Sequence, residues 1–389
     1  MDLSFIINEL GEDREQYFNA IAPPIVQSSN FAFDTVASMR ERMLDEYQGF
    51  LYSRGNNPTI DILRQKLAAL DGAEDALVFS SGAAAIFAAV LSQVEQGDHV
   101  ICVKEPYSWA RQLFEKLLPR FGVHTTFVDG TDIVNFKEAI QSNTSLIYLE
   151  SPNSLTFSLQ DITAVAQLAR SKNITTIIDN SYCTPLYQQP HLMGIDLVLQ
   201  SATKFISGHS DTIAGVLTGT QEKIRKIFVS EYLNIGSGIA PFNAWLLLRG
   251  LRTLEIRLQR SAESTRQIVA WLKQHPLIQQ IYFPLDPDFP QYALASRQMK
   301  GAAGLVTILL KVERREQVEL FCNSLQHFLM AVSWGGHESL AFPSCAALPA
   351  ADFDPLDEKH RMVRLYIGLE DPGYLIKDLE QALAKVAGI

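Results

Sequence analysis

The sequence predicts an α/β fold, with a large domain built on a mostly parallel, seven-stranded sheet and a smaller C-terminal α+β domain. Three observations carry this. Between about residues 60 and 220, short β-rich runs alternate with longer segments of helical periodicity, the pattern of a sheet with helices on both faces. Runs such as Ile174-Thr175-Thr176-Ile177-Ile178 suit strands buried on two sides. After about residue 240 the alternation stops, and a chain of 389 residues is too long for one small core.

The elements follow in order. Residues 1–50 read as an extended N-terminal arm, with Pro23-Pro24 and the polar run Gln27-Ser28-Ser29-Asn30. Residues 51–242 form the large domain. Its strand candidates are Ala76–Phe79, His99–Val103, His124–Val128, Ser145–Glu150, Ile174–Asp179, Asp196–Gln200 and Ala214–Leu217. Helical segments lie between most of them, such as Asp161–Ser171, apolar at Ile162, Val165, Ala166, Leu168 and Ala169. Residues 243–389 form the second domain: a helical stretch Asn243–Lys273, strand-like runs at Ile278–Phe283, Gly304–Lys311, Phe328–Ser333 and Val363–Gly368, and a closing helix Gly373–Val386.

Composition excludes several classes. Apolar residues are 47% and charged residues 20%, the balance of a folded globular protein. The net charge is −10, and the densest basic cluster, Lys311 to Arg315, is broken by Glu313 and followed by Glu316, so no nucleic-acid stripe exists. Four scattered cysteines (Cys102, Cys183, Cys322, Cys345) form no C-x-x-C pair, against a disulfide framework or a zinc site; no metal is expected. The N-terminus lacks a signal-peptide pattern and no apolar run approaches a membrane span, so a cytoplasmic location is expected.

In an open α/β sheet, ligands bind outside the carboxyl ends of the strands. After Ala76–Phe79 comes Ser80-Ser81-Gly82-Ala83, a small-residue turn entering a helix. Its free N–H groups could hold a phosphate, or Ser81 could be an ordinary N-cap. Asp179 ends an apolar strand, where a buried carboxylate needs a partner; a protonated pyridine nitrogen is one, a turn or a cap the plainer alternative. Lys204 follows Asp196–Gln200 in Ser201-Ala202-Thr203-Lys204-Phe205. Such a lysine could be a surface residue; at a strand end, desolvated among apolar neighbours, it would instead be a Schiff-base nucleophile. A phosphate turn, an Asp at a strand end and then a Lys are, in that order, the parts of a pyridoxal-phosphate site.

The chain resembles, over nearly its whole length, the cystathionine γ-synthase and cystathionine β- and γ-lyase family, the Cys/Met-metabolism branch of fold type I pyridoxal-phosphate enzymes. The motifs are Tyr52-Ser53-Arg54-Gly55-Asn56-Asn57-Pro58-Thr59, Ser81-Gly82, Glu150-Ser151-Pro152-Asn153, Asp179-Asn180-Ser181, Ser201 to Lys204 with Gly208-His209-Ser210-Asp211, and Arg249-Gly250-Leu251-Arg252-Thr253-Leu254. Two more stand near the end: Ser333-Trp334-Gly335-Gly336-His337-Glu338-Ser339-Leu340 and Arg364-Leu365-Tyr366-Ile367-Gly368-Leu369-Glu370. The resemblance implies an aspartate-aminotransferase-like fold and pyridoxal 5'-phosphate as cofactor. It implies that Lys204 carries the cofactor and moves protons at Cα and Cβ, that Asp179 pairs with the pyridinium, and that Tyr107 stacks on the ring and relays a proton. Gly82, Ala83, Ser201 and Thr203 would bind the phosphate, and Tyr52 and Arg54 the phosphate of a neighbouring subunit. Arg364 would clamp the substrate carboxylate with Asn153 and Ser333. Shared sites imply a homo-oligomer, at least a dimer, with a tetramer the expected assembly.

The implied activity is a C–S lyase acting on cystathionine by β- or γ-elimination. Alternatives are γ-replacement on an O-acylated homoserine and a methionine γ-lyase; a non-catalytic cofactor-binding regulator belongs to another class, and the intact set of site residues argues against it. Ser108-Trp109-Ala110-Arg111 stands where many members have Gly-Gly-Thr, and Ala83 where methionine is common. Ser333-Trp334-Gly335-Gly336 is closer to bacterial cystathionine β-lyases than to γ-synthases. No G-x-G-x-x-G follows a strand, against a nicotinamide enzyme. His209 and His337 read as structural histidines.

Overall fold

The computed structural model describes residues 1–388. The chain divides into two compact units. The first holds residues 1–153, 158–207 and 211–252, and the second residues 154–157, 208–210 and 253 onward.

In the first unit the arm is not simply extended: it holds two helices, α1 (Leu3–Asn8) and α2 (Val36–Leu44), and no residue of α2 is buried. Helix α3 (Pro58–Asp71) starts and stops on local chemistry. Asn57 caps it by accepting from the Thr59 N–H at 3.0 Å, and Pro58 takes the first turn, where its missing N–H costs nothing. Gly72 ends it at φ 69°, a left-handed conformation that a Cβ would disfavour. Helix α4 (Gly82–Leu91) is apolar throughout, and α5 (Ser108–Gln112) opens beside Tyr107.

Seven strands make the first sheet: β1 (Asp75–Phe79), β2 (His99–Val103), β3 (His124–Val128), β4 (Thr144–Glu150), β5 (Thr175–Asp179), β6 (Leu197–Gln200) and β7 (Gly215–Gly219). Their spatial order is β1-β7-β6-β5-β4-β2-β3, and only β7 runs against its neighbours. The mostly parallel seven-stranded sheet is as expected. Alternate residues feed two cores. Val100, Cys102, Leu146, Tyr148, Ile177, Leu197 and Leu199 pack with Ala85, Ala88 and Ala89 of α4. Ile101, Val103, Ile147, Leu149, Ile178 and Val198 pack with Val165, Ala166 and Ala169 of the helix Ile162–Arg170. Burial on both faces removes the hydrophobic–polar alternation of a one-sided sheet.

The second unit carries a five-stranded sheet in the order β10-β11-β12-β9-β8. The strands are β8 (Ile278–Tyr282), β9 (Leu305–Leu310), β10 (Leu329–Met330), β11 (Leu340–Pro343) and β12 (Met362–Tyr366). All pairs are antiparallel except β10 with β11. The stretch expected as one helix is two, Pro241–Leu251 and Leu254–Leu272, parted at Arg252-Thr253, where the unit boundary falls. The run Phe328–Ser333 shrinks to two strand residues because the chain turns away before Ser333, which sits at φ 77°.

Candidate active site

The residues singled out in the first unit follow the carboxyl ends of strands that point the same way. Ser81-Gly82 follows β1, Tyr107 follows β2, Asn153 follows β4, Asp179 closes β5, and Ser201 to Lys204 follow β6.

Ser81 caps α4, its hydroxyl accepting from the Ala84 N–H at 3.1 Å. Among the described residues the Gly82 and Ala83 N–H groups, the first two of the helix, have no hydrogen-bond acceptor, so they can take an anion. Gly82 is needed for close approach: a Cβ there would stand 3.1 Å from the Cβ of Ser201 and 3.2 Å from its hydroxyl. Gly215 of β7 backs the same turn, and a Cβ on it would meet the Ser81 carbonyl and lie 2.9 Å from the Gly82 Cα.

The lysine turn is held by its own backbone. The Lys204 N–H donates to the Ser201 carbonyl at 3.1 Å, and the Ser207 N–H to that of Ala202 at 2.9 Å. Ser181, quoted in a motif but given no role from sequence, joins two parts of the site. Its N–H donates to Asp179 Oδ1 at 2.9 Å, and its hydroxyl accepts from the Ser201 N–H at 2.6 Å. Thr203 differs from Ser201. Its hydroxyl donates to the Ala214 carbonyl at 3.2 Å and accepts from the Ala214 N–H at 3.0 Å, so its proton is committed to the backbone.

Asp179 is buried, and desolvation pushes its carboxyl above the usual range; the Ser181 hydrogen bonds and the positive charge of Lys204 pull it back only in part. Tyr107 is 42% exposed. Its phenol is pushed up by burial, then by the negative charges of Asp179 and Glu150. Glu150 is a second residue without a role from sequence: it ends β4 and accepts from the Tyr107 N–H at 2.5 Å, fixing the entry to α5. Asn153 is buried and donates its backbone N–H to the Ser158 carbonyl at 3.2 Å.

Tyr52 and Arg54 stand apart on the loop before α3. Both are exposed, and the Arg54 guanidinium carbon lies 5.6 Å from the centre of the Tyr52 ring.

In the second unit Arg364 on β12 donates to the carbonyls of Ser154 at 3.0 Å and Ser333 at 3.4 Å. Its guanidinium carbon lies 5.2 Å from the centre of the Phe342 ring. The structure thus brings Arg364 and Ser333 together. A serine held at φ 77° is uncommon and is the sort of strain that gathers at functional sites.

Residues 5–384 match the family described as Cys/Met metabolism PLP-dependent enzyme. The chain belongs to that family. It is 37% identical to an L-methionine gamma-lyase of Treponema denticola over 377 residues, covering 95% of this chain and 94% of that protein. It is 36% identical to a cystathionine gamma-synthase of Mycobacterium tuberculosis over 365 residues, 94% of this chain and 92% of that one. Among solved structures, a putative O-acetylhomoserine (thiol)-lyase (metY) of Campylobacter jejuni superposes with a TM-score of 0.92 at 26% identity, covering 99% of this chain and 100% of its own. That structure carries N'-pyridoxyl-lysine-5'-monophosphate. The protein is therefore a fold type I pyridoxal-phosphate enzyme of sulfur amino-acid metabolism with a small-molecule substrate. Its residues fit that cofactor: two unpartnered helix N–H groups for a phosphate, a buried carboxylate that lacks a full counter-charge, and a lysine whose charge reaches that carboxylate.

Proposed function

We propose that this enzyme is a C–S lyase that cleaves sulfur amino acids by γ-elimination, with cystathionine or methionine as substrate. The observation that carries the choice of γ over β is that the relatives named above, at 36–37% identity over nearly the whole chain, are a γ-lyase and a γ-synthase. β-Elimination is the second reading, favoured by Ser333-Trp334-Gly335-Gly336, whose Trp334 is buried.

When bound, the cofactor supplies an electron sink for negative charge developing at the substrate Cα. Asp179 Oδ2 is the group that keeps a pyridine nitrogen protonated, since a desolvated carboxylate gains most from a cation. Gly82 and Ala83 donate N–H groups to the phosphate and Ser201 its hydroxyl, whereas Thr203 adds to the turn by tying it to Ala214. Lys204 Nζ, as the neutral amine, would take the Cα proton; once it has returned that proton to the substrate–cofactor system it is again a base and could take a Cβ proton. The Tyr107 phenol, kept protonated by burial beside two carboxylates, donates to the departing sulfur. Arg364 binds the substrate carboxylate as a two-pronged cation; its carbonyl partners and the Phe342 ring fix the plane of its fork. Asn153 and Ser333 assist it.

The exposed Tyr52 and Arg54 suit a role in a neighbouring subunit, which makes the working form at least a dimer and, as in the expected assembly, a tetramer. No helix among the described residues is long and apolar enough to cross a membrane, and we place the enzyme in the cytoplasm.

The test is mass-spectrometric identification of the keto acid released from L-cystathionine and from L-methionine by the cofactor-loaded enzyme. Oxobutyrate is expected. Pyruvate from cystathionine would establish β-elimination instead. Thioether formation from an acylated homoserine and a thiol, without keto acid, would make the enzyme a synthase.

A further inference from the structure

A second buried polar cluster lies in the first unit, on the amino-terminal side of the lysine turn. Asp71, the last residue of α3, is fully buried. Both its carboxyl oxygens lie 3.0 Å from Gln200 Nε2, and Oδ2 lies 2.8 Å from Thr218 Oγ1. Thr218 Oγ1 is in turn 2.9 Å from His191 Nε2, and His191 Nδ1 is 3.1 Å from the Ile195 carbonyl oxygen.

Counting protons along this line leaves few choices. A carbonyl oxygen only accepts, so His191 Nδ1 carries a hydrogen. A neutral imidazole then offers Nε2 as a bare acceptor at 2.9 Å, and the one hydroxyl proton of Thr218 is drawn to it ahead of the Val198 carbonyl oxygen, which lies farther off at 3.2 Å. The Thr218 oxygen is left facing Asp71 Oδ2 with lone pairs, and two acceptors at 2.8 Å need a proton between them. Asp71 supplies it as a carboxylic acid. The alternative, a carboxylate with a cationic His191, requires a charge on the fully buried Asp71 and another on the half-buried His191, separated by a hydroxyl. The surroundings disfavour it: burial pushes the Asp71 carboxyl up to about 7, and burial pushes His191 down.

No charged group acts on Asp71 among the described residues; His191 is raised by its hydrogen bond to the Ile195 carbonyl and, of charged groups, by Asp196, itself 3.6 Å from Lys223. Of the charged side chains on elements packed against α3, Asp75 of β1 is paired with Arg64, and Arg249 of the helix Pro241–Leu251 is exposed; the helix Thr184–Tyr187 offers only Tyr187.

We propose that Asp71, Thr218 and His191 form a proton-sharing chain with Asp71 as the neutral acid, and that its grip on Gln200 positions the Ser201–Lys204 turn. Gln200 is buried and directly precedes Ser201, so moving its side chain moves the start of the turn. Asp71 is a positioning residue here, and this second half of the proposal rests on reading that turn as the cofactor site.

The experiment has two arms. Infrared difference spectroscopy of the apoprotein at neutral pH should show a buried carboxylic-acid C=O band that disappears in Asp71→Asn. In His191→Phe the same band should disappear as well, because Thr218 is then free to donate to a carboxylate. Absence of the wild-type band, or its survival in Asp71→Asn, overturns the chain. The second arm is titration of the apoprotein with pyridoxal 5'-phosphate. Asp71→Asn keeps the donor to Thr218 and the acceptor for Gln200, so affinity should stay within about twofold, whereas Asp71→Ala should lose about tenfold, roughly one hydrogen bond. Equal affinity in all three proteins with the infrared result intact would overturn the link to the turn and leave the cofactor reading standing; loss of binding in none but the Lys204 variants would say the same.

Discussion

Replacing Gly215 by alanine tests the proposed phosphate turn from the neighbouring strand, leaving the turn's own residues unchanged. Gly215 lies on β7, and its missing Cβ is what lets the strand pass the start of α4. An added Cβ would lie 2.7 Å from the Ser81 carbonyl carbon and 2.9 Å from the Gly82 Cα, against 3.4 Å for ordinary contact. Backbone on both sides leaves no flexible end to yield, so the turn must move by about 0.5 Å or more. Overpacking of this kind costs about 1–3 kcal/mol of stability. The displacement falls on the Gly82 and Ala83 N–H groups, whose bonds to a phosphate would be charge-assisted and worth about 1.5–3 kcal/mol each. Losing the equivalent of one lowers cofactor affinity roughly tenfold to a hundredfold. The assay is a spectrophotometric titration of the apoprotein beside its thermal unfolding. A variant that melts lower but binds the cofactor as tightly as wild type would refute the placement of the phosphate at Gly82 and Ala83.

Lys204→Ala should abolish turnover while the protein stays folded by circular dichroism; turnover near the wild-type level would sink the proposed mechanism. Asp378, on the helix Pro372–Ala387, accepts from the backbone N–H groups of Gln326, His327 and Phe328 at 2.8, 2.8 and 3.2 Å. Burial pushes its carboxyl up, but those bonds outweigh it and hold the group below its usual value. A depressed folded pKa gives stability that is present above the unfolded value near 3.9 and lost as pH falls through the folded one. Asp378→Asn should therefore lower the melting temperature at neutral pH, by about 1.5–3 kcal/mol of stability, and narrow the gap to wild type in acid; a gap that does not change with pH would contradict the assignment.

What could be read from the sequence was what leaves a periodic or local trace. The two-sided burial of β2, β4 and β5 writes continuous apolar runs, and the cap at Ser81 writes its own residue type. Strand direction leaves no such trace, so the antiparallel course of β7 was not visible. Strand β11 is four residues long and ends in Pro343, too short for a period to show. The break at Arg252-Thr253 was hidden because apolar residues continue across it, from Leu248 and Leu251 to Leu254 and Leu258. In the candidate site, residue types and their order drew attention to Lys204, Asp179 and Gly82. They could not tell that Thr203 spends its proton on Ala214, or that Ser181 ties Asp179 to Ser201, since both depend on where backbone groups fall in space.

Asp179 and Asp71 end their elements in similar ways, and burial raises both, yet they lead to different chemistry because of what faces them. Asp179 stands within the field of Lys204 and takes a backbone N–H from Ser181, so the anion is partly compensated and one more cation completes it. Among the described residues the partners of Asp71 are neutral, Gln200 and Thr218, and no charged group acts on it. A carboxyl in the first setting gains by staying ionised opposite a pyridinium, and one in the second gains by keeping its proton. Between them runs β6, adjacent to β5 and to β7, with Gln200 as its last residue and Ser201 the next. The lysine turn therefore starts from a strand end held on one side by a hydrogen bond from Ser201 to Ser181 and on the other by the amide of Gln200 on Asp71. Fixing the first residue of a turn at two points confines the lysine three residues on, which suits the role proposed for Lys204 at Cα and Cβ.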